Sequence, residues 1–320
     1  MKQVRVEAFG DVTQVHVIDA PEPIPNPGEV LIDIKACGMQ YADVMQRLGL
    51  YVGGPKPPFH PGMEAAGVVT ALGTGVTAPV VGTRVVVMAG GGLEAERAAV
   101  PASSCIPIPD DMTFEQAAAF PVNYLTAYHA LVTVARAEPG EVVVIHAAGG
   151  GVGTAAVQLA KRYGLRVVAT ASSEDKRTRV AALGADRVVD YADFEAAARE
   201  LAPDGPAIIL ESVGGDVFQR SLSCLASLGR LVVLGVAGKE TKPVDPVKLL
   251  FRSRGVLGFH LNAVFSRPGL LRSSLDRLLE HVRAGELAIQ VGHVLPLADV
   301  RAGHELLASR GSYGKVVLVP

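Results

Sequence analysis

The chain has 320 residues, of which 49% are hydrophobic, and its formal net charge at pH 7 is -2. This length predicts two domains with an ample core, and the near-neutral charge gives no reason to expect nucleic acid or an anionic membrane as the main partner. No apolar run is long enough to span a bilayer, and Lys2-Gln3-Val4-Arg5 follows Met1 in place of an apolar secretory segment. We therefore predict a cytoplasmic protein.

Residues 1 to about 120 are predicted to be mostly β-structure. Alternating or apolar runs between glycines and prolines are typical of short strands, and they occur at residues 4–9, 15–18, 30–36, 67–71, 84–88 and 96–100. One helix is predicted over residues 42–48, and Gly49 closes it. Strands at this spacing favour a partly open barrel or a folded sheet.

From Phe114 onward the pattern changes to strands that alternate with helices. Thr113 and Gln116 have the spacing of a capping box, and a second helix is predicted over residues 123–135. Apolar runs predict six strands, at residues 142–145, 166–170, 187–189, 207–210, 231–234 and 256–259. Helical stretches lie between them, near residues 175–183, 194–201, 217–225 and 246–251. This α/β alternation predicts a doubly wound parallel sheet.

After about residue 262 the alternation stops. An amphipathic helix is predicted over residues 270–282, another helix over 300–307, and a closing strand over 315–319. Because one strand cannot stand alone, we expect the C-terminal segment to return to the N-terminal sheet. The prediction is a nucleotide-binding domain of residues 122–261 inserted into a catalytic domain of residues 1–121 and 262–320.

Residues 141–162 contain the clearest ligand-binding pattern. An apolar run over 142–145 predicts a strand buried on both faces, the turn after it contains three consecutive glycines, and a helical pattern begins at Val152. A strand, a glycine turn and a helix in this order predict a site for the pyrophosphate of a dinucleotide. The glycines let the backbone approach the ligand, and the first N–H groups of the helix attract its charge.

The end of the following strand indicates which dinucleotide binds. In NAD sites an acid at this position binds the ribose hydroxyls, but here Ala171-Ser172-Ser173 follow the strand, with Lys176 close behind. Hydroxyls and a cation would accept a 2′-phosphate that an acid would repel, so we predict NADPH rather than NADH. The alternative is that Ser172 only caps a helix and Lys176 is a solvated charge.

Several motifs together resemble a known family. The cofactor turn, Ile145-His-Ala-Ala-Gly-Gly-Gly-Val-Gly153, resembles that of the medium-chain dehydrogenase/reductase superfamily. Four other stretches are similar to its zinc-free quinone oxidoreductase branch, the zeta-crystallin-like proteins, and they begin at Cys37, Pro58, Phe120 and Gly314. The resemblance covers nearly the whole chain. It implies a Rossmann domain inserted into a GroES-like catalytic domain, and a homodimer.

The resemblance also implies which residues contact cofactor and substrate. The pyrophosphate positions are Gly150, Gly151, Val152 and Gly153, and those around the adenosine phosphate are Ser172, Lys176 and Tyr191, with Ser173 as the second hydroxyl at the strand end. Asn123 and Thr126 match positions beside the nicotinamide, and further cofactor contacts are implied for Val213, Gly235, Phe259 and Lys315. Gln40 stands where the family commonly has asparagine, and Tyr51 matches a tyrosine at the pocket mouth, although a tyrosine in such a loop also serves packing.

No metal site is predicted. In zinc-dependent members of the superfamily the first two catalytic ligands correspond to Gln40 and Met63, and an amide and a thioether are poor zinc ligands. Without a Lewis acid, the oxidation of a plain alcohol is difficult, whereas a conjugated acceptor takes hydride directly and spreads the charge over its own oxygen.

The leading hypothesis is therefore NADPH-dependent reduction of quinones or α,β-unsaturated carbonyls, with Gln40, Tyr51 and Asn123 as candidate polar contacts to the substrate. Two alternatives stay open. One is a medium-chain enoyl-thioester reductase, for which Arg252, Arg254 and Arg267 could form a basic entrance. The other is a low-turnover NADPH-binding protein with a structural or RNA-associated role, and the near-neutral charge argues against the RNA-associated version.

Overall fold

A computed structural model describes all residues, 1–320. By their contacts these residues form two compact units, which we call the first unit (Met1–Val122 and Ile289–Pro320) and the second unit (Asn123–Ala288).

The strands are numbered in chain order. They are β1 (Lys2–Val6), β2 (Val15–Asp19), β3 (Glu29–Met39), β4 (Glu64–Leu72), β5 (Arg84–Met88), β6 (Arg97–Pro101), β7 (Cys105–Pro107), β8 (Val142–Ile145), β9 (Arg166–Thr170), β10 (Arg187–Val189), β11 (Ile208–Glu211), β12 (Arg230–Val233), β13 (Gly255–Gly258), β14 (Val291–Pro296) and β15 (Lys315–Val319).

The helices follow the same order. They are α1 (Tyr41–Arg47), α2 (Phe114–Ala118), α3 (Pro121–Tyr128), α4 (Gly151–Arg162), α5 (Glu174–Ala181), α6 (Phe194–Leu201), α7 (Gly215–Cys224), α8 (Pro246–Arg252), α9 (Asn262–Phe265), α10 (Pro268–Arg283) and α11 (Val300–Ala308). None of them combines the length and the apolar character that crossing a membrane requires.

The first unit is built on a seven-stranded sheet. Its order is β14-β15-β3-β4-β5-β7, with β6 also paired to β3. The long strand β3 is antiparallel to β4, β6 and β15, so the C-terminal strand joins the N-terminal sheet as predicted. Apolar side chains of β3, β4, β5 and β15 form its core. This is the mostly β, GroES-like architecture that the resemblance implies.

The second unit contains six parallel strands in the order β10-β9-β8-β11-β12-β13. All four residues of β8 and of β11 are buried, because the neighbouring strands and the helices on both faces cover them. The strand order reverses direction next to β8. The predicted doubly wound Rossmann sheet is confirmed, and α4 begins directly beyond the carboxyl end of its central strand.

The structure differs from the sequence predictions in its local elements. The strands β7 and β14 were not predicted: β7 has three residues and ends at a proline, and no residue of the edge strand β14 is fully buried. The helix predicted over residues 123–135 is α only to Tyr128. Residues 129–134 form a π-helical turn, in which the Ala135 N–H bonds to the carbonyl of Ala130, five residues earlier.

The second unit extends further along the chain than the predicted boundary at residue 261. Its contacts include residues 262–288. The amide of Gln158 in α4 donates to the Ala288 carbonyl (3.1 Å) and accepts from the Ala288 N–H (2.7 Å). Arg162, at the end of α4, pairs with Glu286 (2.8 Å). These bonds hold α10 and the segment after it on the parallel-sheet unit, which the amphipathic pattern alone does not reveal.

Candidate functional site

The glycine turn after β8 has the geometry of an anion cradle. Gly150 is the N-cap of α4, and it has no side chain with which to bond the N–H groups of the first helical turn. No acidic residue lies in that turn. The first N–H groups of a helix point outward and carry partial positive charge, so this end of α4 suits a pyrophosphate.

Two of the glycines are required by close approach. A Cβ on Gly153 would lie 2.4 Å from the Ala147 carbonyl oxygen and 2.5 Å from the Ala148 Cα, both in the backbone of the turn. A Cβ on Gly151 would lie 2.5 Å from the side-chain amide nitrogen of Asn123. Asn123 is 3% exposed, so its amide is held against the start of α4. The residues present therefore fit a dinucleotide cradle.

Lys176 and Tyr191 lie at the same turn. A Cβ on Gly149 would be 3.2 Å from Cδ of Lys176, so the lysine side chain runs along the glycine turn. Partial burial lowers the pKa of Lys176, opposed by the charge of Asp175. The hydroxyl of Tyr191 accepts from the N–H of Ala147 (3.2 Å). Lys176 and Tyr191, two of the residues predicted around the adenosine phosphate, thus lie next to the cradle.

The end of β9 has the acid-free character that the sequence indicates. Ser172 and Ser173 are exposed, and the helix cap is Ser173 rather than Ser172, since its hydroxyl accepts from the Lys176 N–H (3.4 Å). The neighbouring cation, Arg177, is bonded to Glu174 and to the carbonyl of Ala171. Lys176, whose side chain lies along the glycine turn, is the candidate for a phosphate contact.

Other predicted cofactor residues follow the carboxyl ends of neighbouring strands. Val213 follows β11, Gly235 follows β12 and Phe259 follows β13, all at partial exposure. Because parallel strands end at one edge of a sheet, these residues share that edge with the glycine turn. Thr126 lies one helical turn after Asn123 in α3.

His146, which directly follows β8, stabilises the glycine turn and was not predicted as a functional residue. Its ring bonds to the hydroxyls of Thr170 (3.0 Å) and Ser221 (2.8 Å) and stacks on Tyr191, with 5.9 Å between ring centroids. Complete burial lowers its pKa to about 3, and the charge of Arg220 adds to the effect. His146 is therefore neutral and positions Tyr191.

The first unit contains a separate buried polar cluster around Glu64, which is 0% exposed. One carboxylate oxygen of Glu64 accepts from the Gln40 amide and the Lys315 ammonium, and the other accepts from the N–H of Val122 (2.9 Å). Burial raises the pKa of Glu64, and the Lys315 charge opposes that rise. Because Lys315 is bonded to Glu64, a cofactor contact by Lys315 stays a prediction.

Gln40 begins α1 and is linked there to a second buried acid. Its N–H donates to Asp43 (2.6 Å), with which it forms a capping box. Burial raises the pKa of Asp43 to about 7. Burial, with the charge of Asp43, also raises the pKa of the Tyr51 hydroxyl above its ordinary value, at which it is already protonated at neutral pH. Gln40 and Tyr51 belong to the first unit and Asn123 to the second.

Sequence analysis missed a third buried acid, Glu94. It is 0% exposed, and neither of its carboxyl oxygens has a hydrogen-bond partner. It lies in the loop before β6, in the sequence Gly91-Gly92-Leu93-Glu94-Ala95-Glu96, where a charged residue normally indicates a solvated loop. No local pattern distinguishes it from Glu96.

The cluster does not have the donors of a catalytic zinc site. The resemblance implies that Gln40 and Met63 correspond to the first two ligands of the zinc-dependent relatives, and the Lys315 ammonium is bonded to Glu64. No group of three or more His, Cys, Asp or Glu side chains is arranged to hold a metal ion. An amide, a thioether and an ammonium do not fit zinc.

Comparisons with known proteins match both units. A model described as alcohol dehydrogenase GroES-like domain matches residues 26–110, and one described as zinc-binding dehydrogenase matches residues 151–280. The human synaptic vesicle membrane protein VAT-1 homolog is 34% identical over 332 residues, which cover 98% of this chain and 84% of that protein.

Two solved structures cover this chain completely and are themselves covered completely. The quinone oxidoreductase from Thermus thermophilus, determined also in complex with NADPH, is 39% identical with a TM-score of 0.89. The Escherichia coli quinone oxidoreductase complexed with NADPH is 28% identical with a TM-score of 0.93.

Proposed function

This chain belongs to the quinone oxidoreductase branch of the medium-chain dehydrogenase/reductase superfamily, and on that premise we propose that it reduces quinones or α,β-unsaturated carbonyls with NADPH and without zinc. The observation that carries the proposal is the glycine cradle at the start of α4, with Lys176 lying along it and no acid at the end of β9. The two NADPH complexes described above support the choice of cofactor.

The second unit holds the cofactor in this proposal. The N–H groups at Gly151, Val152 and Gly153 bind the pyrophosphate, and Lys176 with Ser172 and Ser173 binds the 2′-phosphate. Asn123 and Thr126 orient the nicotinamide, which supplies a hydride when it is bound. Val213, Gly235 and Phe259 line the same edge of the sheet.

The polar residues of the first unit act on the substrate oxygen. The Gln40 amide has two N–H groups, one of which donates to Glu64, and in this proposal the other donates to the substrate carbonyl. A tyrosine hydroxyl is protonated at neutral pH and burial raises the pKa of Tyr51 further, so its hydroxyl is a second donor. Donors aimed at the oxygen that gains charge stabilise the transition state, and a conjugated acceptor needs no Lewis acid.

The test of this proposal follows NADPH absorbance with a panel of quinones and enones, with NADH in parallel. We expect turnover with NADPH, and we expect Lys176→Ala to raise KM for NADPH about ten-fold, since it removes one charge-assisted bond, while KM for NADH stays constant. The control is Arg179→Ala, which removes an exposed cation from the same helix. An unchanged NADPH preference in Lys176→Ala would contradict the phosphate assignment.

The same screen separates the alternatives. Turnover confined to enoyl thioesters would favour a thioester reductase. Tight NADPH binding without turnover on any acceptor would favour a binding protein.

We also propose that the chain forms a homodimer through the second unit. Val247, Leu250 and Phe251 of α8 are 56%, 73% and 82% exposed, and β13 is an edge strand with one row of unpaired backbone groups. A second copy would cover both features. Sedimentation of Phe251→Asp is expected to give a monomer, and Val80→Asp, another exposed apolar position, a dimer. A monomeric unmodified chain would refute the proposal.

A further inference from the structure

Three strands of the first unit bring a polar residue to the same end of the sheet. Gln40 directly follows β3, Glu64 is the first residue of β4, and Lys315 is the first residue of β15. Because β3 is antiparallel to both neighbours, its end lies beside the starts of β4 and β15, and Gly38 is paired with both Glu64 and Val317. Pairing across the sheet, rather than spacing along the chain, therefore brings the three side chains together.

Glu64 links the other two residues through one atom. Gln40, Glu64 and Lys315 are 8%, 0% and 2% exposed, so their contacts are made away from water. One carboxylate oxygen of Glu64 accepts from both the Gln40 amide and the Lys315 ammonium, and the other accepts from the N–H of Val122 (2.9 Å). Both oxygens of Glu64 are thus bonded to donors.

The partners of Glu64 favour its ionised form. An ammonium and a backbone N–H can only donate, and they lie one on each oxygen of the carboxylate. Burial raises the pKa of Glu64, and the charge of Lys315 and the bonds from Lys315, Val122 and Gln40 oppose that rise. Lys315 is therefore the group that keeps Glu64 an acceptor.

An ionised Glu64 fixes which way round the Gln40 amide lies. The amide has a donor end and an acceptor end, and a carboxylate has no proton to donate, so only the NH₂ end of Gln40 can face Glu64. The reverse orientation would place two buried acceptor oxygens against each other. The backbone of Gln40 is held as well, because its N–H donates to Asp43 (2.6 Å). With these two bonds in place, the direction of the second amide N–H is fixed.

We propose that Glu64 is a positioning residue: with Lys315 as its counter-ion, it holds the Gln40 amide in the orientation in which the second N–H donates to the oxygen of the substrate. The proposal rests on the proposed reductase activity, in which Gln40 donates to that oxygen. Glu64 and Lys315 act through Gln40 and do not contact the substrate themselves. Lys315 thereby has a role other than the cofactor contact that the resemblance implies.

Such restraint matters because a donor stabilises a developing charge most when it already points at it before the reaction. Glutamine has one more rotatable bond than the asparagine common at this position in the family, so more conformational freedom must be removed to aim its amide. The bond from Gln40 to Glu64 removes it.

Nuclear magnetic resonance of the full chain with ¹⁵N-labelled glutamine side chains tests the orientation of the amide. We expect one amide proton, assigned to Gln40 by its absence in Gln40→Leu, to resonate downfield and to exchange slowly, because it is bonded to a buried carboxylate. The double variant Glu64→Met/Lys315→Met removes both charges together and leaves no charge buried alone. In it the proton is expected to lose its downfield shift and to exchange faster, and a shift that persists overturns the proposal.

The matched control is Asp33→Asn/Lys35→Met, which removes an exposed ion pair from β3 and leaves the buried cluster intact. Its Gln40 signal and its kinetics are expected to equal those of the unmodified chain. If the double variant does not fold, the unmodified chain still decides. Gln40 amide protons that exchange as fast as those of a glutamine in a short peptide overturn the proposal.

Kinetics with a quinone test whether Glu64 acts through Gln40. We expect Gln40→Leu and the double variant each to lower kcat about ten-fold, since each removes one oriented donor, while KM for NADPH stays constant. The two combined are expected to lower kcat about ten-fold as well, because the same interaction is removed twice. A loss of about 100-fold, the product of two independent effects, overturns the proposal.

Two further outcomes separate this proposal from its neighbours. A raised KM for NADPH in the double variant would assign Lys315 to the cofactor, and it overturns the positioning role. Absence of turnover by the unmodified chain refutes the proposed reductase function, while the Gln40 amide signal still decides whether Glu64 holds the amide.

Discussion

Glu64 and Lys315 form the most strongly partnered buried charge pair in the first unit. Both are at most 2% exposed, and the carboxylate also accepts from Gln40 and Val122. Gly38 lies against both, because a Cβ there would be 2.7 Å from Cε of Lys315 and 2.9 Å from Cγ of Glu64. The pair therefore depends on a glycine in β3 as well as on its own two residues.

Removal of the Lys315 ammonium leaves Glu64 as a buried carboxylate without a cation. We expect Lys315→Met to lower the free energy of unfolding by about 3–5 kcal/mol, measured by urea denaturation. Lys35→Met removes a cation whose pair with Asp33 is exposed, and it is expected to cost less than ~1 kcal/mol. Equal losses in the two variants would contradict the role of Lys315.

The sequence predicts single residues of the site only where a local pattern marks them. The glycines of the turn, Lys176 and Tyr191 follow strands at regular spacing, and they lie together in the structure. Glu94 and Asp43 are brought near each other by the folding of separate elements, and their neighbours along the chain resemble those of ordinary surface acids. Burial and hydrogen-bond partners distinguish them, and neither can be derived from spacing.

Among the elements, the parallel strands were predicted most closely. Strands buried on both faces appear as continuous apolar runs, and β8, β9 and β10 match their predicted bounds. Short or exposed edge strands have no such run, so β7 and β14 were missed. The π-helical turn after α3 has hydrogen bonds that reach back five residues, such as that from the Ala135 N–H to the Ala130 carbonyl, and residue periodicity does not encode this pattern.

Two glycines at the junction of β8 and α4 have different roles, one in packing and the other in cofactor binding. Gly153→Ala places a Cβ 2.4 Å from the Ala147 carbonyl, and we expect it to lower the free energy of unfolding by about 1–3 kcal/mol. Gly150→Ala meets the same oxygen at 3.4 Å, so we expect unchanged stability but weaker NADPH binding, measured by urea denaturation and fluorescence titration. Similar stability losses in both variants would argue against this separation.

At the scale of the whole molecule, buried titratable groups act on stability in opposite directions. Burial lowers the pKa of His129 to about 4 and of His146 and His304 to about 3, so below pH ~6.5 the unfolded chain binds more protons at these residues than the folded one. Asp43, with a pKa of about 7, and Glu94 retain protons in the folded state that the unfolded chain releases above pH ~4.

We therefore expect the free energy of unfolding to fall as pH rises above about 6.5, where the histidines are neutral in both states and Asp43 and Glu94 retain protons that the unfolded chain has released. Urea denaturation at several pH values measures this. Glu94→Met removes one retained proton, so its decline above pH ~6.5 is expected to be shallower, while Glu96→Gln follows the unmodified curve. A decline of the same slope in Glu94→Met would contradict a raised pKa at Glu94.

The return of β15 to β3 has a consequence during synthesis. The second unit is complete once Ala288 has left the ribosome, whereas the first still lacks β14, β15 and Lys315, which pairs with Glu64 across 251 positions. At about 5–20 residues per second, the remaining segment takes a few seconds to emerge. Throughout that interval the edge of β3 that pairs with β15 is unpaired, and Glu64 has no counter-charge. The first unit therefore cannot complete its sheet, although most of its residues are synthesised before those of the second unit.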